Sequence, residues 1–317
     1  IYNSNWESLI FKPAVSTDQS IAIRGGNENA KYSMSIGYTD QNGLMKESFF
    51  RRYTGRLTSD IKVLKWLNVS TSLGFVKSKQ TQDDGITRST AEVWSILPTK
   101  YPTDANQLIG NTYVGGRWGT NQDFNVGEQW YNVLYRRQEI YGRNNIGQVT
   151  GSFTTTATIT KDLTFKSDFS IDYNAYKQNS YSGQLYGNTG SASVNTQQTM
   201  YWQNENYFNY NKQIGKDHNI SAVLGFSWSQ LSYENNGASN SVFLSDFYGY
   251  SNLGAGAAVR PGVSSGDGLS ALNSYFGRVN YSYKDKYLLT LTGREDGSSK
   301  FGSNNKYGFF PSAGVAW

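Results

Sequence analysis

Few side chains here have the makings of a reactive centre. The single histidine, His218, falls in a predicted turn over residues 215–218, where a Ser-His-Asp site would have to draw its partners from far away; a solvated turn residue is the simpler reading. One histidine and no cysteine leave zinc or another transition metal without its usual ligands. Asp83, Asp84 and Asp104 could offer oxygens to calcium, but their spacing fits no calcium loop, and they read as solvated loop acids. Glu295 and Asp296, beside Arg294, look at first like a paired general acid and base. Neighbours on a strand point to opposite faces, so the two carboxylates cannot act on one bond, and a structural role at the exit from a strand fits better. No enzymatic activity, cofactor or metal is expected.

The elements that hold these residues are strands. The chain is 37% hydrophobic and 15% aromatic, with a mean hydropathy of −0.58. A soluble domain of 317 residues would be nearer half apolar so as to fill a core. A large membrane barrel needs no such core, because lipid covers its outside and water or a plug fills its inside. No segment approaches the roughly 20 apolar residues of a membrane helix, whereas a membrane strand needs only about 9–11. Absence of cysteine fits an oxidising envelope compartment without disulfides. Ile1-Tyr2-Asn3-Ser4 has no basic or apolar leader character, so for an envelope protein the mature start is expected upstream. The net charge of +5 is modest and scattered, which argues against nucleic acid as a partner.

Alternation of period two recurs along the chain. Tyr32, Met34, Ile36 and Tyr38 alternate with Ser33, Ser35, Gly37 and Thr39. Val149, Phe153, Ala157 and Ile159 alternate with an almost pure hydroxyl face, and Ile220, Ala222, Leu224, Phe226 and Trp228 with Ser221, Gly225, Ser227 and Ser229. One wet and one apolar face is what this period implies. Short turns are predicted at 25–29, 63–65, 161–162, 215–218 and 284–286. Longer links are predicted at 41–49, 77–144, 177–199, 232–271 and 296–306. Short and long alternate, as in outer-membrane barrels with tight periplasmic turns and long extracellular loops. The count is about eleven strands, half of the roughly 22 in plugged transporters. The strand at 307–317 stops in mid-pattern, so residues 1–317 are expected to be a partial barrel domain, lacking an N-terminal plug and C-terminal strands.

Tyr32, Tyr38, Tyr281, Tyr283, Tyr287, Tyr307 and Trp317 cluster at strand ends, where an interfacial aromatic girdle would lie; cross-strand packing is the ordinary alternative. In the longest link, Ser89-Thr90-Ala91-Glu92 has capping-box spacing ahead of Val93, Trp94, Ile96 and Leu97, with Pro98 as a stop, which predicts one short helix.

Two stretches carry a resemblance. Residues 20–57 contain Gly25-Gly26-Asn27, Lys31-Tyr32-Ser33, Asp40-Gln41-Asn42-Gly43 and Arg52-Tyr53. Residues 274–317 contain Phe276-Gly277-Arg278, Asp285-Lys286-Tyr287, Arg294, the signature Asp296-Gly297-Ser298-Ser299-Lys300-Phe301-Gly302 and Phe309-Phe310-Pro311-Ser312. Together they resemble the SusC/RagA family of TonB-dependent outer-membrane receptors of Bacteroidetes-type bacteria. Residues 94–102 are also similar to that family's first long loop.

The resemblance implies a plugged barrel in the outer membrane, importing oligosaccharides or peptides under TonB power. A SusD-like lipoprotein would cap it, outer-membrane lipid would surround it, and a dimer of transporter–lipoprotein pairs is compatible with it. In that frame Tyr113, Arg117, Trp118, Trp130, Tyr131, Tyr181 and Tyr186 are candidate glycan or peptide contacts, or else pack the loops and the lid. Arg52, Arg56, Asp168, Asp172, Arg278 and Arg294 are candidate lumen-facing residues that anchor the plug. A barrel of the same family serving as a non-transporting scaffold of an envelope assembly complex is the alternative, and a passive porin or adhesin barrel a third.

Overall fold

The computed structural model describes residues 2–81, 90, 93–104, 108–109, 112–113, 115–120, 123, 132–135, 140–184 and 189–317. Its strands run in chain order β1 (Ser16–Gly26), β2 (Ala30–Asn42), β3 (Phe49–Leu64), β4 (Leu67–Thr81), β5 (Leu108–Ile109), β6 (Thr112–Tyr113), β7 (Ile140–Thr158), β8 (Leu163–Ser182), β9 (Ser191–Ile214), β10 (His218–Ser241), β11 (Gly262–Tyr283), β12 (Tyr287–Ser298) and β13 (Tyr307–Ala316). Eleven of them form one antiparallel sheet in the order β1-β2-β3-β4-β7-β8-β9-β10-β11-β12-β13, and β5 and β6 form a separate hairpin. Within the described residues β1 and β13 are the edges.

The register keeps the two faces distinct across the whole sheet. Ile36 lies opposite Ile21 and Gly55, Gly55 opposite Phe75, Phe75 opposite Val149, and Val149 opposite Tyr173. Further on, Phe208 faces Phe165 and Leu224, and Val279 faces Ala222 and Leu291. Directly opposed residues share a face, so these form one continuous apolar surface, with Ser, Thr, Asn, Asp and Arg on the other.

The short turns fall within two residues of the predicted ones. At residues 27–29 the Asn27 side chain accepts from the Asn29 and Ala30 amides at 2.8 and 2.9 Å. In the three-residue β11–β12 connection Lys284 and Asp285 both take positive φ, 52° and 50°, and Lys286 N donates to Tyr283 O at 3.1 Å, closing a turn of the left-handed kind that suits the twist of the flanking strands. Two long links are shorter than expected. β8 runs to Ser182, β9 starts at Ser191, β10 runs to Ser241 and β11 starts at Gly262, so the hairpins extend far into the predicted 177–199 and 232–271 links. These extensions are rich in Ser, Asn, Gln and Gly on both faces, so no apolar period marks them; neighbouring-strand hydrogen bonds hold them instead. β9 and β10 reach 24 residues each, roughly 80 Å at about 3.3 Å per residue.

At the long-link end a small satellite core forms. The helix α1 (Trp6–Ile10), capped by Asn5, packs Trp6 and Ile10 against Val93, Leu97 and Val133. The predicted capping box at 89–92 falls outside the described residues apart from Thr90. Beyond it Val93 to Leu97 form bends and a turn closed by Leu97 N donating to Trp94 O at 3.1 Å, not a helix.

Candidate functional site

All six charged residues expected to face inward lie on the polar face. They are spread over β3, β8, β11 and β12 rather than gathered into one cluster. Asp168 accepts from Thr154, and Asp172 from Gln148 and Asn174 at 3.3 and 2.7 Å. Arg278 donates to Thr292 at 3.3 Å, Arg52 lies 5.9 Å over the Phe50 ring, and Arg56 is exposed. Arg294 is the most engaged: its Nε donates to both Asp296 oxygens at 2.7 and 2.9 Å, Nη2 donates to Ser274 Oγ at 2.9 Å, and the guanidinium sits 5.7 Å over Phe276.

That arrangement explains the signature. Asp296 pins Arg294, while Gly297 on the opposite face lies so close to Tyr307 that a Cβ would stand 2.3 Å from its ring. Ser298 and Ser299 then carry the ladder past the strand end, through Ser298 N to Lys306 O and Ser299 N to Ala271 O, both 2.9 Å. Phe301 and Gly302 follow in the turn, Phe301 N donating to Ser298 O at 3.3 Å. Glu295 points to the apolar face, opposite Tyr275 and Phe309.

The loop residues are built into packing. The Asp123 carboxylate, 1% exposed, accepts from Arg117 at 2.6 Å, Tyr101 Oη at 3.0 Å and the Thr120 amide and hydroxyl at 2.8 Å each. Burial and the Asp123 bond push the Tyr101 phenol pKa well above its ordinary value. Trp118 lies under the Lys100 ammonium at 4.1 Å and edge-on to Tyr135 at 5.9 Å. Asn132, fully buried, donates to the Thr99 and Gly119 carbonyls at 2.9 and 3.1 Å. Tyr181 is 2% exposed among Tyr141 and Phe243 and donates to Asp246 at 2.5 Å. Tyr113 lies on β6, and Trp130, Tyr131 and Tyr186 fall outside the described residues.

His218 is the first residue of β10 rather than a turn residue, and it is half-buried. Its Nδ1 is 2.7 Å from Tyr281 Oη and its ring is 4.9 Å from Tyr283, on the apolar face beside Tyr287. Among the described residues no three metal-ligating side chains come together.

The polar face also carries a cavity at its long-link end, of about 590 Å³ and floored by Ser180, Ser182, Ser193, Ser239 and Ser241, with the exposed Arg260 at its rim. Ser180 and Ser193 hydroxyls meet at 2.7 Å. The repeated Ser-x-Ser spacing at 180–182, 191–193 and 239–241 is the sequence trace of this floor.

No family model matches the chain. The TonB-dependent receptor P26 of Formosa agariphila is 33% identical over 326 residues, covering 99% of this chain and 31% of that receptor. The TonB-dependent receptor SusC of Bacteroides thetaiotaomicron is 26% identical over 340 residues, covering 99% of this chain and 32% of SusC. Among solved structures the RagAB peptide transporter matches with a TM-score of 0.73 at 23% identity, over 99% of this chain and 35% of that one, which is a likeness of fold. The chain thus spans about a third of the length of these receptors. The SusC/RagA resemblance read from the motifs extends over the whole chain, and the sheet of eleven antiparallel strands expected from the alternation is observed, an open sheet consistent with half of a barrel.

Proposed function

We propose that this chain is a barrel segment of an outer-membrane importer that takes up oligosaccharides or peptides under TonB power, beneath a SusD-like lipoprotein lid. The observation that carries the reading is the pair of faces kept over eleven strands, joined to similarity with TonB-dependent receptors over 99% of this chain. In this reading the apolar face meets lipid and the polar face meets the lumen. The remaining two thirds of the receptor supply the plug, the TonB-contacting segment and the strands that pair with β1 and β13, since lipid does not tolerate open sheet edges.

The residues of the chain would act by positioning rather than by chemistry. Arg52, Arg56, Asp168, Asp172, Arg278 and Arg294 present charge to a plug. The serine-floored cavity with Arg260 offers hydroxyls and one guanidinium to the polar groups of a glycan or peptide entering from outside.

The test is uptake of labelled oligopeptides and oligosaccharides by cells carrying the full-length receptor and its lipoprotein, compared with a version lacking the TonB-contacting segment. Uptake that falls to background in the truncated version is expected. A correctly inserted receptor whose removal changes no uptake would contradict import and favour an assembly scaffold.

A further inference from the structure

Beyond the aromatic residues at the long-link end, the apolar face becomes basic. Tyr38 and Tyr53 stand on that face with ring centroids 4.9 Å apart, and Phe75 and Tyr173 share it by register. Further along the same strands and the same face come Arg51 on β3, Lys77 and Lys79 on β4, Arg143 on β7 and Lys177 on β8. Arg51 lies opposite Lys79, Lys79 opposite Asn145, and Asn145 opposite Lys177. The row therefore crosses four neighbouring strands, roughly 15 Å at about 4.8 Å per strand.

Among the described residues few carboxylates meet these cations. Lys77, Lys79 and Lys177 are exposed and have no acidic partner among the described residues. Arg51 shares Asp40 at 3.3 Å, the only carboxylate on this face of β2, β3, β4, β7 and β8. Arg143 lies 5.1 Å over the Phe49 ring and donates to its neighbour Gly142 O at 3.1 Å. All five residues stand about ten or more residues beyond the short turns, past the length of strand that a hydrocarbon layer takes up, about 9–11 residues. A cationic band at that height, directly above an apolar belt and an aromatic rim, meets lipid headgroups and not lumen.

We propose that this patch is a binding site for the phosphate groups of a glycolipid headgroup in the outer leaflet, whose acyl chains lie on Ile36, Leu57, Leu73 and Val149 below. The site rests on the outer-membrane reading above. Lysine suits it as a compact point charge that needs no fixed fork geometry, while Arg51 and Arg143 hold the flank near Phe49.

The experiment uses the full-length receptor purified from outer membranes in mild detergent, as wild type and as the triple variant Lys77→Gln, Lys79→Gln, Lys177→Gln. Binding of a bisphosphorylated diglucosamine lipid, its dephosphorylated form and inorganic phosphate is measured by native mass spectrometry. Wild type is expected to hold the bisphosphorylated lipid about 100-fold more tightly than the variant, on the scale of one surface charge contact per lysine, and to discriminate against the other two probes. Equal binding by the variant, equal binding of the dephosphorylated lipid, or displacement by inorganic phosphate alone would overturn the site. Membrane fractionation and heat-modifiable mobility of both proteins test the underlying reading separately. A wild type absent from the outer membrane overturns both, whereas correctly inserted proteins that bind the lipid equally overturn the site alone.

Discussion

Asp296 holds Arg294 from two residues along the same strand, accepting its Nε at 2.7 and 2.9 Å on the polar face. Side chains at this spacing share a face, so the signature places an ion pair over the sheet and leaves Glu295 on the other side. The pair is partly exposed, 43% for Arg294 and 26% for Asp296, so its contribution to stability is about 0–1 kcal/mol.

The glycine beside it should matter more. Gly297→Val drives a side chain into the Tyr307 ring, an overpacking expected to cost about 1–3 kcal/mol, whereas Asp296→Ala costs about 1 kcal/mol or less. Urea unfolding of the detergent-solubilised full receptor should rank the two in that order. A larger loss from Asp296→Ala would mean that the ion pair, not the tight β12–β13 contact, holds this corner.

In the first long loop, Asp123→Asn should loosen the loop without disturbing the strands. It removes the buried charge that Arg117 pairs with at 2.6 Å, a loss of about 3–5 kcal/mol for a fully buried pair and less here because the Arg117 cation left behind is 32% exposed. Limited proteolysis should show faster cleavage in residues 82–139, with unchanged β content by circular dichroism.

The same loop should open at alkaline pH. Burial and the bond to Asp123 raise the Tyr101 pKa, so the folded loop keeps the phenol neutral while the unfolded segment ionises from about pH 10. The stability that this contributes is whole below pH 10 and is lost as pH rises beyond it. Tyr101→Phe should lose the bond yet flatten that alkaline limb, measurable as protease sensitivity between pH 9 and 11, a window of about one unit either side of an ordinary phenol.

Gly249 has a positive φ of 50° and a Cβ there would stand 2.0 Å from Tyr141 Oη. Gly249→Ala should therefore unseat the 242–261 loop from Tyr141 and Tyr181, with about 1–2 kcal/mol from the left-handed backbone alone. Nicking confined to that loop is the expected readout.

The strands were legible because each carries one apolar and one wet face, and the turns because Asn27, Gly215 and the Lys284-Asp285 pair interrupt that period. The outward extensions of β8 to β11 were not, since Ser191 to Gln198 or Ser232 to Ser241 are polar on both faces and read like loop. Placement of the six charged residues on the polar face followed directly from parity. The partners of Arg117 and Tyr181 did not, because Asp123 and Asp246 reach them through loop folding that no spacing encodes. His218 was misplaced by one residue at a strand boundary, enough to change a solvated turn into a stacked aromatic site.

The central claim is that one face of this sheet meets lipid and the other meets water. Within these 317 residues there is no cysteine, so single cysteines at Leu224, Val279 and Leu291 on the apolar face, and at Val223, Arg278 and Thr292 on the polar face, can each carry a nitroxide label in a full-length receptor in membranes from which any cysteine outside this segment has been replaced. Accessibility to oxygen should dominate at the first three and to an aqueous nickel chelate at the last three. Equal accessibility at both sets, or the reverse pattern, would contradict the account.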